Sequence, residues 1–150
     1  VSLACDPDFY LLLSGAYSRL VGEPLVADAG DARSGARWLY EAAPFCVLAH
    51  NAEAEPVFIY ANRSAQDCFG YDWDEIIKLP SRLSAEAPER AERQRLLDAV
   101  TAHGFISNYR GLRIAKSGRR FWIENATVWQ LIDEAGRLHG QAAMFQKPSA

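Results

Sequence analysis

The chain has 150 residues, enough for one domain with a core of its own. A hydrophobic fraction of 49% and a charged fraction of 23% belong to an ordinary folded protein and exclude a disordered or low-complexity chain. A net charge of −3 argues against a main partner made of phosphate backbone, and no apolar run reaches the length of a membrane span.

Asp6-Pro7 opens the first predicted helix, because Asp caps a helix well and Pro is tolerated in the first turn. The helix covers residues 8–21 and ends at Gly22-Glu23-Pro24. Phe9-Tyr10-Leu11-Leu12-Leu13 is apolar throughout. Successive side chains are about 100° apart around a helix, so this run must bury on two sides. One side is expected in the domain. The other is expected in a homodimer interface made of Phe9, Leu12, Leu13, Ala16 and Leu20. Residues 25–35 are small and polar and read as a connection. A short helix follows over residues 36–43, with Trp38 and Leu39 inward, and Pro44 stops it.

FCVLAH (residues 45–50) and VFIY (residues 57–60) read as two strands of a hairpin. Asn62 is placed to cap a two-turn helix that ends at Gly70, with Ala65, Cys68 and Phe69 inward. Asp72-Trp73-Asp74-Glu75 predicts a capping box for another short helix that ends before Pro80. A longer helix spans residues 88–103 with Leu96, Leu97 and Val100 as its core stripe. Glu86/Arg90 and Glu89/Arg93 are spaced as helical ion pairs on it. The remainder holds three strands, over residues 105–115, 119–132 and 137–146, separated by the turns Lys116-Ser117-Gly118 and Asp133-Glu134-Ala135-Gly136. Two strands, a run of short helices and a three-strand meander predict an α+β fold. Its five-stranded antiparallel sheet is covered by short helices, with strand 45–50 beside strand 137–146.

That order is similar to the PAS fold, and particular segments resemble PAS signatures. They are YANRSAQDCFGY (residues 60–71), WDEI (73–76), KSGRRFWIE (116–124) and DEAGRLHG (133–140). YEAAPFCVLAHN, DWDEIIKLPSRLSAE, ERAERQRLL and GFISNYRGLRIAKSGRRFWIENATVWQLIDE, together with HGQAAMF, resemble a PAS relative, the MEKHLA domain, in its free-standing bacterial form. The resemblance implies a helical cap over residues 1–43 and a PAS-like core over residues 44–147. It also implies a sensory or regulatory module without catalytic chemistry.

Light-sensing PAS relatives hold flavin with a reactive Cys and flavin-facing amides. Here Ser81 stands at the Cys position, Ile123 at the Asn position and Ala142 at the Gln position, so no flavin is expected. Haem is not expected either, because His103 sits at the last turn of its helix, where it can cap carbonyls. His50 and His139 read as surface residues. Cys5, Cys46 and Cys68 are far apart with no metal-ligand spacing, which predicts reduced thiols, no metal and a cytoplasmic setting. The acidic groups all have roles as caps, pairs or turns, and no nucleophile–base set is legible, so no enzyme activity is expected. Arg110, Arg113, Lys116, Arg119 and Arg120 straddle a hairpin turn and read as a solvated edge rather than a nucleic-acid site. The polar residues within apolar surroundings, Arg82, Asn125 and Gln141, join Trp129 as candidate contacts for a small apolar or aromatic ligand between helices and sheet. The expected function is thus a PAS-like sensory module that binds such a ligand and mediates protein association. The alternative is a structural homodimerisation domain with a filled core.

Overall fold

The structure, a computed structural model, describes residues 2–28 and 30–148. Ala29, in the predicted connection, lies outside them. The elements are α1 (Pro7–Val21), α2 (Ala32–Glu41), β1 (Phe45–Asn51), β2 (Phe58–Ala61), α3 (Arg63–Phe69) and α4 (Trp73–Ile76). A single 3₁₀ turn (Ser81–Ser84), α5 (Ala87–His103), β3 (Phe105–Ile114), β4 (Arg120–Ile132) and β5 (Leu138–Gln146) complete the chain. The five strands form one antiparallel sheet in the order β2-β1-β5-β4-β3, so β1 lies beside β5 as the element order predicts.

The caps follow the sequence. The Asp6 carboxylate accepts from the Asp8 N–H at the start of α1, and Asp72 and Glu75 form the reciprocal box at α4. Asp31 caps α2 through the Ser34 N–H at 2.8 Å, so this helix begins a turn earlier than residue 36. Its buried stripe is Gly35, Ala36, Leu39 and Tyr40, which leaves Trp38 off the stripe and 40% exposed rather than inward.

Each face of the sheet carries a helical layer. On the outer face, α1 and α2 pack Phe9, Leu13, Ala16, Tyr17, Leu39 and Tyr40 against Val47, Ala49, Tyr60, Trp129 and Leu131. The ring of Tyr17 meets Trp129 edge-on at 4.9 Å. On the inner face, α3, α4 and α5 pack Ala65, Cys68, Phe69, Ile76, Leu96 and Val100 against Cys46, Leu48, Ile123, Val128 and Phe145.

The apolar run of α1 is therefore buried on two sides by its own chain. The sheet takes Phe9 and Leu13, and α2 takes Tyr10, crossing so closely that a Cβ on Gly35 would stand 2.6 Å from the Tyr10 ring. Of the five residues assigned to a homodimer interface, Phe9, Leu13 and Ala16 are already in this core, and Leu12 and Leu20 are half-buried against it. Only Leu11, 54% exposed, is left outward among the five apolar residues of the run. The physical reason for expecting a partner chain at α1 is corrected accordingly.

Asn62 joins the layers. Fully buried, its Oδ1 accepts from the Val47 and Ala65 N–H groups at 3.0 and 3.1 Å, and its Nδ2 donates to the Leu39 and Phe45 carbonyls at 3.1 and 2.9 Å. One side chain thus caps α3 and ties α2 to β1, with every polar position used.

Neither predicted ion pair on α5 forms. Glu86 pairs with Arg120, Arg90 donates to the Ala85 carbonyl, and Arg93 turns inward.

Candidate ligand site

A cavity of about 60 Å³ lies between the inner face of the sheet and the turn-and-helix layer of residues 81–103. Leu48, Phe58, Leu96, Ile123, Val128 and Phe145 make most of its apolar wall. Strand alternation places its polar residues. In β1, Cys46 and Leu48 face inward, so His50 does too. In β3, Tyr109, Gly111 and Arg113 share the inner side. A Cβ at Gly111 would stand 2.3 Å from the Tyr109 hydroxyl and 2.9 Å from Arg113 Nη1, so both side-chain tips lie over the glycine and would have to shift to admit a side chain. In α5, the stripe of Leu96 and Val100 continues one turn back to Arg93.

These polar groups are only partly satisfied. His50 sits with Nδ1 2.9 Å from the Asn51 carbonyl, while no protein group bonds to its buried Nε2. Burial pushes its pKa down to about 4, since it disfavours the charged imidazolium, and the positive charge of Arg93 acts in the same direction. Opposite it in the β1–β5 ladder, Gln141 donates to the Leu97 carbonyl at 3.3 Å and Thr101 Oγ1 at 3.1 Å. The buried Oε1 of Gln141 has no partner in the protein. Arg93, 7% exposed, donates to Ser81 Oγ at 2.8 Å. Arg113, 6% exposed, donates to the Leu112 carbonyl and to the Tyr109 hydroxyl, which in turn donates to Glu92 at 2.7 Å. Burial, then the charge of Arg113, push the Arg93 pKa down to about 10.

With this geometry in hand, the comparisons place the chain among known proteins. The family model of the MEKHLA domain matches residues 8–149. The chain belongs to the MEKHLA domain family. Solved PAS and light-oxygen-voltage domains share its fold. A PAS domain from Colwellia psychrerythraea superposes with a TM-score of 0.63 at 14% identity, over 72% of this chain and 89% of that one. A light-oxygen-voltage domain studied with a flavin analogue gives 0.57 at 15%, over 70% and 77%. The dark state of the blue-light photoreceptor Aureochrome1 domain gives 0.55 at 21%, over 69% and 75%. No curated protein matches the chain significantly.

The four candidate contacts of this MEKHLA domain separate. Gln141 lines the cavity. Trp129, 0% exposed, lies on the opposite face under α1, and its indole N–H has no protein partner. Asn125 is exposed with φ 52°. It sits where β4 advances three residues, from Ile123 to Ala126, while β3 advances two, from Gly111 to Tyr109. The extra residue is a β-bulge, which reverses the parity of the strand and sends Trp129 away from the side of Ile123. Asn tolerates the left-handed conformation that the bulge needs. Arg82 is exposed and pairs with the loop carboxylate of Glu55 at 2.9 Å.

His50 is buried rather than a surface residue, and Arg113 leaves the otherwise exposed basic run to enter the cavity. Ala142 packs into the outer cluster, so the amide that β5 aims at the cavity is Gln141, one residue earlier. His103 is exposed at the end of α5, and His139 pairs with Asp133 at 2.9 Å. Cys5 is exposed, while Cys46 and Cys68 are buried, and all three are free thiols. Among the described residues, no cluster of three His, Cys, Asp or Glu side chains could hold a metal ion, and no helix is long and apolar enough to cross a membrane.

Proposed function

We propose that this MEKHLA domain is a sensory or regulatory module whose inner cavity binds a small molecule. The observation that carries the reading is the cavity itself: an apolar space on the inner face of a PAS-like sheet, lined by His50 and Gln141, each of which holds a buried polar atom without a protein partner. Buried polar groups are normally satisfied, so a core that leaves two acceptors open in an apolar wall is built around something that fills it. The β1–β5 and β4–β5 ladders that line the cavity continue into the outer layer under α1 and α2, a direct mechanical path from ligand to surface.

Flavin does not suit the residues present. Ile123 offers an aliphatic side chain where the ring edge needs hydrogen bonds, Ser81 is engaged by Arg93, and about 60 Å³ is small beside the roughly 300–1,000 Å³ of common cofactor sites. Association of two chains, the other part of the proposal, would use the outward side of α1 around Leu11, and light scattering of the intact chain beside Leu11→Glu reads it.

A panel of neutral and charged compounds of about four to seven heavy atoms, screened by ligand-observed NMR, tests the cavity. Val128→Phe fills it. Binding to the wild type that Val128→Phe abolishes is expected. No binding by any compound, or binding indifferent to Val128→Phe, contradicts the proposal.

A further inference from the structure

We infer that the ligand is a small organic acid that carries a hydrogen-bond donor, with its carboxylate at Arg93 and Arg113 and its donor at His50 and Gln141. This rests on the reading of the cavity as a ligand site and adds the chemistry of the occupant.

Two guanidinium groups line one cavity, both nearly excluded from water, and among the described residues neither forms an ion pair with a carboxylate. The nearest acidic group in their network is Glu92, which is held by the Tyr109 hydroxyl and reaches Arg113 only through it. Each guanidinium carries five N–H donors. Arg93 has one of them bonded to a side chain, and Arg113 has two bonded to protein oxygens. Buried charge without a counter-charge is costly, and two like charges in one cavity are costlier. A carboxylate offers two oxygens to the planar fork of an arginine and supplies the missing charge. Gly111 leaves the room that lets Arg113 reach over the sheet toward Tyr109.

The other end has the opposite need. A carbonyl oxygen can only accept, so the contact between His50 Nδ1 and the Asn51 carbonyl puts the ring proton on Nδ1 and a lone pair on Nε2. The same logic fixes the Gln141 amide, whose nitrogen faces the Leu97 carbonyl. Both unpartnered atoms, His50 Nε2 and Gln141 Oε1, are therefore acceptors, on residues that are register partners across β1 and β5. They ask for a hydroxyl or N–H. Between the two ends, Leu48, Leu96, Ile123 and Val128 require a hydrocarbon body, and a volume of about 60 Å³ keeps it short.

Four probes separate the parts on the whole chain, followed by two-dimensional 1H–15N NMR titration: 3-hydroxybutyrate, butyrate without the hydroxyl, 3-hydroxybutyramide without the charge, and inorganic phosphate without the hydrocarbon. The hydroxy acid is expected to bind best. Loss of the charge should weaken binding at least ~10-fold, and loss of the hydroxyl about fivefold. Arg93→Met and Arg113→Met should each reduce affinity for the acid by a similar ~10-fold and leave the amide unchanged. In the free chain either substitution should raise the melting midpoint, because it removes a buried charge. A merely structural arginine would lower it. The wild-type probe series needs no variant to fold. An amide that binds as tightly as the acid overturns the anion assignment and leaves the cavity's ligand role standing. Phosphate binding as tightly as the acid overturns the organic body. If none of the four binds while other compounds of the panel do, the acid assignment falls alone; if no compound binds, both fall.

Discussion

The two faces of one sheet are built to different standards. The outer face is packed by interlocking aromatic rings: Phe9 on Tyr60 at 5.3 Å, Tyr17 on Trp129 at 4.9 Å, and Tyr40 and Trp73 both edge-on to Tyr60. Among the described residues, its one buried side-chain polar atom without a partner is the Trp129 indole nitrogen. The inner face has an apolar cluster of its own but keeps a cavity and, among the described residues, two buried arginines without an ion-pair partner and two open acceptors. The outer layer is packed as a core of interlocking rings; the inner layer carries buried polar and charged groups that cost stability unless something satisfies them. Both faces draw on the same strands, with β1 alternating Val47 and Ala49 outward against Cys46, Leu48 and His50 inward.

The largest expected effect is at the seam where β5 meets β1. A Cβ on Gly140, where φ is 149°, would stand 1.9 Å from the His50 carbonyl oxygen. Gly140→Ala should therefore destabilise by about 4 kcal/mol or more in urea unfolding, the range of substitutions that break a backbone contact. Trp129→Ala comes next, at about 3–5 kcal/mol for a large buried aromatic. It should leave the affinity for the hydroxy acid probe intact, because the ring is on the outer side. A large affinity loss in that variant would break the separation of the two faces.

The third effect is a pH dependence. His50 is neutral in the fold, with a pKa of about 4, against an ordinary value near 6.5 when unfolded. Its folded pKa is depressed, and the unfolded chain binds the proton more readily. Stability is complete above about pH 6.5 and falls as pH drops through 6.5 toward 4, by at most roughly 3 kcal/mol. Asp31, Glu75, Glu86 and Asp133, whose carboxyls are all held below their ordinary range by hydrogen bonds, lose their contributions only at lower pH. Urea midpoints of the wild type and His50→Leu between pH 7 and about 5 check this, with a flatter profile expected for the variant. The smallest effect belongs to Arg82→Ala, under about 0.5 kcal/mol with no change in probe affinity, since its ion pair with Glu55 is solvent-exposed.

The fold was legible in the sequence because its signals are local. Asn62 before Ala65, Asp72 with Glu75, and the two hairpin turns each mark a boundary through a hydrogen bond that forms within a few residues. The site was less legible because it depends on which way residues face. Asn125 is polar amid apolar neighbours, which suggested a ligand contact, but that pattern comes from a bulge that the spacing of residues 121–129 does not announce. The missed residues did leave traces. His50 shares the parity of Cys46 and Leu48, Arg113 that of Tyr109, and Arg93 extends the stripe of Leu96 and Val100. The available Glu89 four residues before Arg93 suggested a surface pair and concealed the inward turn. The α1 run was misread for a different reason: a helix apolar on two sides needs two neighbours, and a crossing helix of the same chain serves as well as a second copy.

One measurement addresses the contrast between the faces directly, because each carries its own nitrogen reporter. In a 1H–15N spectrum of the uniformly labelled chain, the Gln141 side-chain amide reports the inner cavity and the Trp129 indole N–H the outer layer. Saturation with 3-hydroxybutyrate is expected to shift the Gln141 amide and leave the Trp129 indole where it is. A shift confined to the Trp129 indole, or no shift at either position, contradicts the account.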